Sequence, residues 1–281
     1  QAKTLFPYTT LFRSKGNDGK AATSYTGMGF RADTTIKADN RALLPRVTFL
    51  DSTRFLGANV GFTAMLPLVQ RKATFGASAP AGVNGAQVID INGTTLNQAL
   101  AARAATQNGS EIGIGDFEFA PLLHWEIGDH QAVTFAPTVV MPTGNYNVSR
   151  RVNTGYGNFY TFRPSAQYAY IGDGWDVGAR GVLSFNTRNK DNGYYSGNMF
   201  NVDWQAMKFV TEDVRVGLQG YLVRQLNRDT CKGGIGQALA QCYNPQLQQQ
   251  VNGATQLAVA TGNRTSVNAV GPAVAWLKNG G

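Results

Sequence analysis

The stretch Trp175–Asn186, WDVGARGVLSFN, decides the fold. Trp175, Val177, Ala179, Gly181, Leu183 and Phe185 alternate with Asp176, Gly178, Arg180, Ser184 and Asn186, and Val182 is the one exception. Successive side chains of an extended chain point to opposite faces, so this period of two marks a strand with one apolar face. The pattern recurs on both sides. In Asn198–Phe209, Phe200, Val202, Trp204 and Ala206 oppose Asn201, Asp203 and Gln205. Val214–Leu226 sets Val214, Val216, Leu218, Gly220 and Leu222 against Arg215, Gln219 and Gln225. Phe159–Tyr170 and Gly115–Glu126 follow the same rule, and Arg41–Asp51, Phe55–Pro67, Gln131–Met141 and Ser266–Leu277 follow it more weakly. A degraded first strand is read in Ser24–Arg31.

The connections give the topology. Short ones are read at Ser52–Arg54, Ile127–His130, Ile171–Gly174 and Val210–Asp213; long ones at Leu68–Ile114, Pro142–Asn158, Thr187–Gly197 and Asn227–Thr265. Short turns at one end and long loops at the other are the grammar of a transmembrane β-barrel, and a soluble sandwich would have shorter strands. The expectation is an all-β, antiparallel outer-membrane barrel, with about ten strands present and about twelve when complete. The apolar faces meet lipid and the polar faces line the lumen, because only closed sheets and helices satisfy their backbone groups inside a bilayer.

Composition agrees. The 281 residues include 33 Gly and are 43% hydrophobic but only 15% charged. No run of about 18 apolar residues exists to form a spanning helix. The net charge of +8 is not gathered into Lys/Arg-rich runs, so nucleic acid is not expected as a partner. The expected partner is the lipid bilayer with its lipopolysaccharide; the oligomeric state is left open.

The candidate site residues follow from the faces. Asp116, Glu118, Glu126, Arg163, Arg180, Asp203 and Arg215 fall on polar faces and are expected in the lumen. A charge of this kind turned to lipid would cost about 2–4 kcal/mol near the midplane. They form either a selective constriction or a mutually paired interior. Tyr146, Tyr156, Phe159, Tyr194 and Tyr195 sit near strand ends and loop bases, as girdle or aromatic-capture residues. Cys231 and Cys242 share one long connection and read as a single disulfide. In Asn92–Asn108, Leu96, Leu100 and Ala104 have helical spacing, and this helix could serve as an inward plug or an external ornament.

Catalysis is not expected. Ser110 and Ser149 lack any G-x-S-x-G context or assignable His/acid partners, and His124 and His130 carry no metal motif. Gly113–Gly115 and Gly233–Gly236 lack the strand–turn–helix setting of a phosphate site. No cofactor and no metal are expected.

The ends read differently. Thr4–Ser14, TLFPYTTLFRS, back-translates to a common sequencing adapter, so residues 1–18 are expected to be an artefactual, non-native start. Residues 19–281 are expected to be one barrel domain, truncated where Leu277–Gly281 reads as a turn.

Several motifs resemble a known family. They are Gly115–Pro121 (GDFEFAP), Pro142–Tyr146 (PTGNY), Arg150–Asn153, Tyr160–Pro164 (YTFRP), Phe185–Lys190 (FNTRNK), Tyr194–Gly197 and Gly217–Tyr221. Together they are similar to the "MetA-pathway of phenol degradation" family of outer-membrane proteins of Gram-negative bacteria, over roughly Arg41–Leu277. The resemblance implies a bacterial outer-membrane barrel, encoded beside catabolic genes, that passes small hydrophobic aromatic compounds and is not an enzyme. It implies chains that continue past Gly281, and it supplies no ligand residues. The alternatives are a general polar-solute porin, or a structural or adhesive barrel without transport.

Overall fold

The computed structural model describes residues 12–15, 20–25, 31–79, 82–87, 92–147, 150, 152–191, 193–231 and 264–276. Nine strands form one antiparallel sheet: β4 (Arg46–Phe55), β5 (Ala58–Met65), β8 (Phe117–Ile127), β9 (Gln131–Met141), β10 (Thr161–Gly172), β11 (Trp175–Asn186), β13 (Met199–Phe209), β14 (Val214–Gln225) and β16 (Ser266–Trp276). Each pairs with its neighbour in chain order, from edge strand β4 to edge strand β16. These nine contain all the expected strands except Ser24–Arg31, which runs across residues 26–30, outside the described residues.

The burial of this sheet is inverted relative to a soluble protein. On β11 the buried side chains are Asp176, Val182 and Ser184, while Trp175, Val177 and Phe185 are exposed. Val182, the exception to the sequence pattern, faces inward. Across β4, β5 and β8 the rings of Phe49, Phe62 and Phe119 run side by side on the outer face, with centroids 5.8 and 6.1 Å apart. Such a belt is stable only in lipid.

The sheet curls strongly. Arg46 on β4 and Arg180 on β11 line one cavity, although β5, β8, β9 and β10 lie between their strands. In a flat sheet, at about 4.8 Å per strand, they would stand about 24 Å apart. The twist and curl of the sheet bring them together around a lumen.

The long connection expected at Leu68–Ile114 is corrected. It contains β6 (Leu68–Ser78), α1 (Leu96–Ala105) and β7 (Gly109–Ile114). With β1 (Phe12–Lys15), β2 (Lys20–Tyr25) and β3 (Arg31–Leu43), strands β6 and β7 build a second sheet, in which β6 lies between β3 and β7. This sheet continues the wall of the first. The pairs Leu43↔Leu68 and Arg46↔Met65 keep one register across the break between β3 and β4. The break comes at Leu44-Pro45 and Leu66-Pro67, where proline removes a ladder donor. Hydrogen bonds still cross it, from Leu66 N–H to the Pro45 carbonyl (3.2 Å) and from Gly115 N–H to the Pro67 carbonyl (2.7 Å). Three strands therefore rise beyond the long-loop end, by about 35 Å for the 11 residues of β6. β3 carries Asp33, Lys37, Asp39 and Arg41, which suits water rather than lipid.

Helix α1 starts with a capping box, in which Gln98 N–H donates to Thr95 Oγ1 (3.2 Å) and Thr95 N–H donates to Gln98 Oε1 (2.9 Å). It buries Leu100 and packs against β6, on the projecting sheet.

A second correction concerns the first short turn. It lies at Leu56-Gly57, both with positive φ (51° and 79°), and not at Ser52–Arg54. Two left-handed residues make the tight hairpin turn whose twist matches the strands. The polar triplet Asp51-Ser52-Thr53 stays within β4 beside a register shift, where the Asp51 carboxylate accepts from Ser52 N–H (2.7 Å) and Thr53 Oγ1 (2.6 Å).

Candidate functional site

Three cavities follow one another along the inside of the curled sheet. The middle one is the smallest, about 170 Å³, and is walled by Arg46, Glu118, Arg180, Met65 and Leu122 among others. A cavity of about 350 Å³ at the level of the proline breaks shares Met65 and Glu118 with it. A wider space of about 700 Å³ towards the short turns shares Gln167 and Arg180.

The expected lumenal charges divide by level. Arg163 on β10 reaches over β9 to Glu118 on β8 (3.0 Å), an ion pair with both side chains largely buried. Arg180 donates weakly to Ser165 Oγ (3.4 Å) and stands opposite Asp203 in register. Nearer the short turns, Arg215 on β14 pairs with Asp176 on β11, whose other oxygen accepts from Gln205 Nε2 (2.9 Å). Glu126 is exposed at the end of β8. The small apolar cluster Ala120, Leu122 and Ala136 lines the same wall as these charges. His124 Nδ1 is bonded to Thr134 Oγ1 on β9 (2.8 Å), and His130, in the turn between β8 and β9, bonds through Nδ1 to the Ile171 carbonyl on β10 (3.0 Å).

Asp116 lies outside the strands, between β7 and β8, lines the cavity at the proline breaks and is 3% exposed. Its carboxylate accepts from Gly144 N–H (2.9 Å) and Tyr156 N–H (2.7 Å) and so holds both arms of the Pro142–Asn158 loop. Thr154 Oγ1 donates to the Ile114 carbonyl (2.7 Å), Arg150 pairs with Glu111 (2.8 Å), and Phe117 N–H donates to Thr143 Oγ1 (2.9 Å). The PTGNY motif is thereby explained. A Cβ on Gly144 would lie 2.7 Å from Gly155 Cα and 2.8 Å from Asp116 Oδ1. Gly144→Ala should therefore loosen this loop and speed trypsin cleavage at Arg150 several-fold; an unchanged rate would refute the close packing.

The aromatic candidates are mostly occupied by holding loops. Tyr146 Oη accepts from Asn189 Nδ2 (2.9 Å), which joins the PTGNY and FNTRNK motifs. Burial raises the Tyr146 pKa above its ordinary 10.0. The stability contributed by the buried neutral phenol is thus complete below pH 10 and is lost as pH climbs through the raised value, whereas the hydrogen bond from Asn189 is one that the phenolate also accepts. Tyr194 donates to Asp229 (2.5 Å) and Tyr195 to Asn198 Oδ1 (2.7 Å), next to the pairing of β12 (Tyr194–Tyr195) with β15 (Thr230–Cys231). Tyr156 is exposed, with the Arg71 guanidinium 5.5 Å above its ring. Phe159 is half-buried beside Gly157. On the outer face, Trp125, Trp175 and Trp276 lie at the short-turn end and Phe162 and Phe185 at the loop end. This is the layout of two interfacial girdles.

Cys242, and with it the expected bridge to Cys231, lies outside the described residues, as do Ser149 and the end segments 1–11 and 277–281. Arg46, Met65 and Asp176 were not among the sequence candidates. Asp176 had the right face in WDVGARGVLSFN, but its partner Arg215 lies two strands away, at a height that only the register fixes.

A search among curated proteins finds no match to the chain. Among solved structures, the chain is similar to the crystal structure of an outer membrane channel from Pseudomonas putida F1, with 15% identity and a TM-score of 0.55. The similarity covers 82% of this chain and 77% of that one. The chain therefore has the fold of an outer-membrane β-barrel. The profile described by the MetA-pathway of phenol degradation matches residues 16–281, and the chain belongs to that family.

Proposed function

We propose that this protein is a non-enzymatic channel of the bacterial outer membrane that passes small aromatic compounds. The observation that carries the reading is the run of three adjoining cavities along a polar inner wall, with the apolar face turned outward. Family membership supports the link to aromatic catabolism, and the P. putida channel has the same fold. The narrow cavity suits such solutes because Met65, Ala120, Leu122 and Ala136 offer an apolar side to a ring, while Glu118, Ser165 and Arg180 offer hydrogen bonds.

The test is solute influx into proteoliposomes, comparing an aromatic with a polar solute of similar size. Aromatic influx well above that of the polar solute is expected. Equal influx of the two would favour a general pore, and no influx would favour a structural barrel. A second check uses the narrow level: Leu122→Trp should cut aromatic influx several-fold by filling the 170 Å³ space. Unchanged influx would place the path elsewhere.

A further inference from the structure

The cavity of about 350 Å³ at the proline breaks differs from the other two. It is lined by Leu44, Pro67, Val69, Arg71 and Tyr156, with Val69 and Arg71 on the same face of β6, and by Met65 and Glu118, which it shares with the narrow cavity. Its size falls within the range of small-molecule pockets. Its walls come from separate parts of the chain: β6 and the break segments supply the apolar residues, and the Pro142–Asn158 loop supplies Tyr156. Asp116 fixes that loop by accepting the backbone N–H of Tyr156 itself, so the ring is held where the cavity needs it.

Most charged groups nearby are already engaged. Asp116 accepts two backbone N–H groups, Glu118 is paired with Arg163, and Glu111 with Arg150. Arg71 spends one hydrogen bond on the Asn153 carbonyl (3.0 Å). A guanidinium has five N–H donors, so donors remain for a ligand while its Cζ stays 5.5 Å from the Tyr156 ring centroid.

We propose that this cavity is a binding subsite at the mouth of the channel for a single aromatic ring bearing one hydrogen-bond-accepting oxygen. The ring packs against Pro67 and Val69, and the oxygen accepts from Arg71. The subsite loads the solute directly above the narrow level, through the shared Met65 and Glu118. It rests on the channel reading and deepens it by naming the chemistry of the solute.

Phenol and toluene test it, because they have nearly the same shape and differ in a hydroxyl and a methyl group. Equilibrium binding to the purified, detergent-solubilised full chain is measured by ligand-observed NMR, and flux is measured separately in proteoliposomes. Saturable phenol binding is expected, with toluene at least ten-fold weaker. Val69→Trp, which fills the cavity, should abolish saturable phenol binding. Arg71→Leu should bring phenol down to the toluene level, and Arg71→Lys should restore part of the difference. Trypsin resistance of the Arg150 loop serves as the control that these variants keep the loop in place. Equal binding of phenol and toluene to the parent protein, or phenol binding unchanged in Val69→Trp, would overturn the subsite even where aromatic flux persists. Intact saturable binding without any flux would leave the subsite standing and sink the channel reading.

Discussion

Asp176→Ala should destabilise the barrel by about 3 kcal/mol, at the low end for breaking a buried ion pair. The substitution leaves the Arg215 guanidinium inside the wall without its carboxylate and removes the acceptor used by Gln205 Nε2. Asp176 is 3% exposed, but it borders the widest cavity, where water can solvate part of the stranded charge. Unfolding in urea, followed by tryptophan fluorescence and by loss of heat-modifiable gel mobility, measures the effect. The double change Asp176→Leu with Arg215→Met should recover much of the loss, because it removes both desolvated charges together. It also removes Arg215 Nε, which is buried without a hydrogen-bond partner. A double variant as unstable as the single one would show that the pair contributes more than mutual neutralisation.

The second large effect is local. Asp116→Ala deprives Gly144 N–H and Tyr156 N–H of their acceptor, at about 1–3 kcal/mol for each donor left unsatisfied. The strands below keep their pairing, so the loss should appear at the mouth and not in global unfolding. Trypsin cleavage at Arg150 should accelerate at least ten-fold, while the urea midpoint moves little. Asp116→Asn keeps one carbonyl acceptor and should fall between. Unaltered cleavage in Asp116→Ala would mean that Thr154 and the Arg150–Glu111 pair hold the loop without it.

The nine strands were legible because lipid on one side and a polar lumen on the other force strict alternation, and Trp175–Asn186 displays that with one exception. Positions that depend on register were not legible. Nothing local to Asp176 points to Arg215, and nothing in Arg163 points across a whole strand to Glu118. The projecting sheet was hidden for another reason. β6 reads Leu68–Ser78 as LVQRKATFGAS, and outside the membrane its faces need no lipid-matched contrast. The signal that could have found it is the pair Pro45 and Pro67, two donor-free residues one register step apart on the two arms of the Leu56-Gly57 hairpin. That turn was itself displaced in the reading, because Asp51-Ser52-Thr53 looks like a turn by composition, whereas positive φ at Leu56 has no compositional mark. Asp116 has the parity of a lumenal residue. Its actual work is set by Gly144 and Tyr156, residues that are distant in the chain.

The three tall strands have a consequence for the cell surface. Among the described residues one wall is about twice the height of the others, so the rim they form is a parapet on one flank. Among the described residues the high side stands farthest out, so antibodies, phage tails or labelling reagents reach it there. A cysteine placed at Thr74 should therefore react with an impermeant maleimide on intact cells far faster than one placed at Phe185.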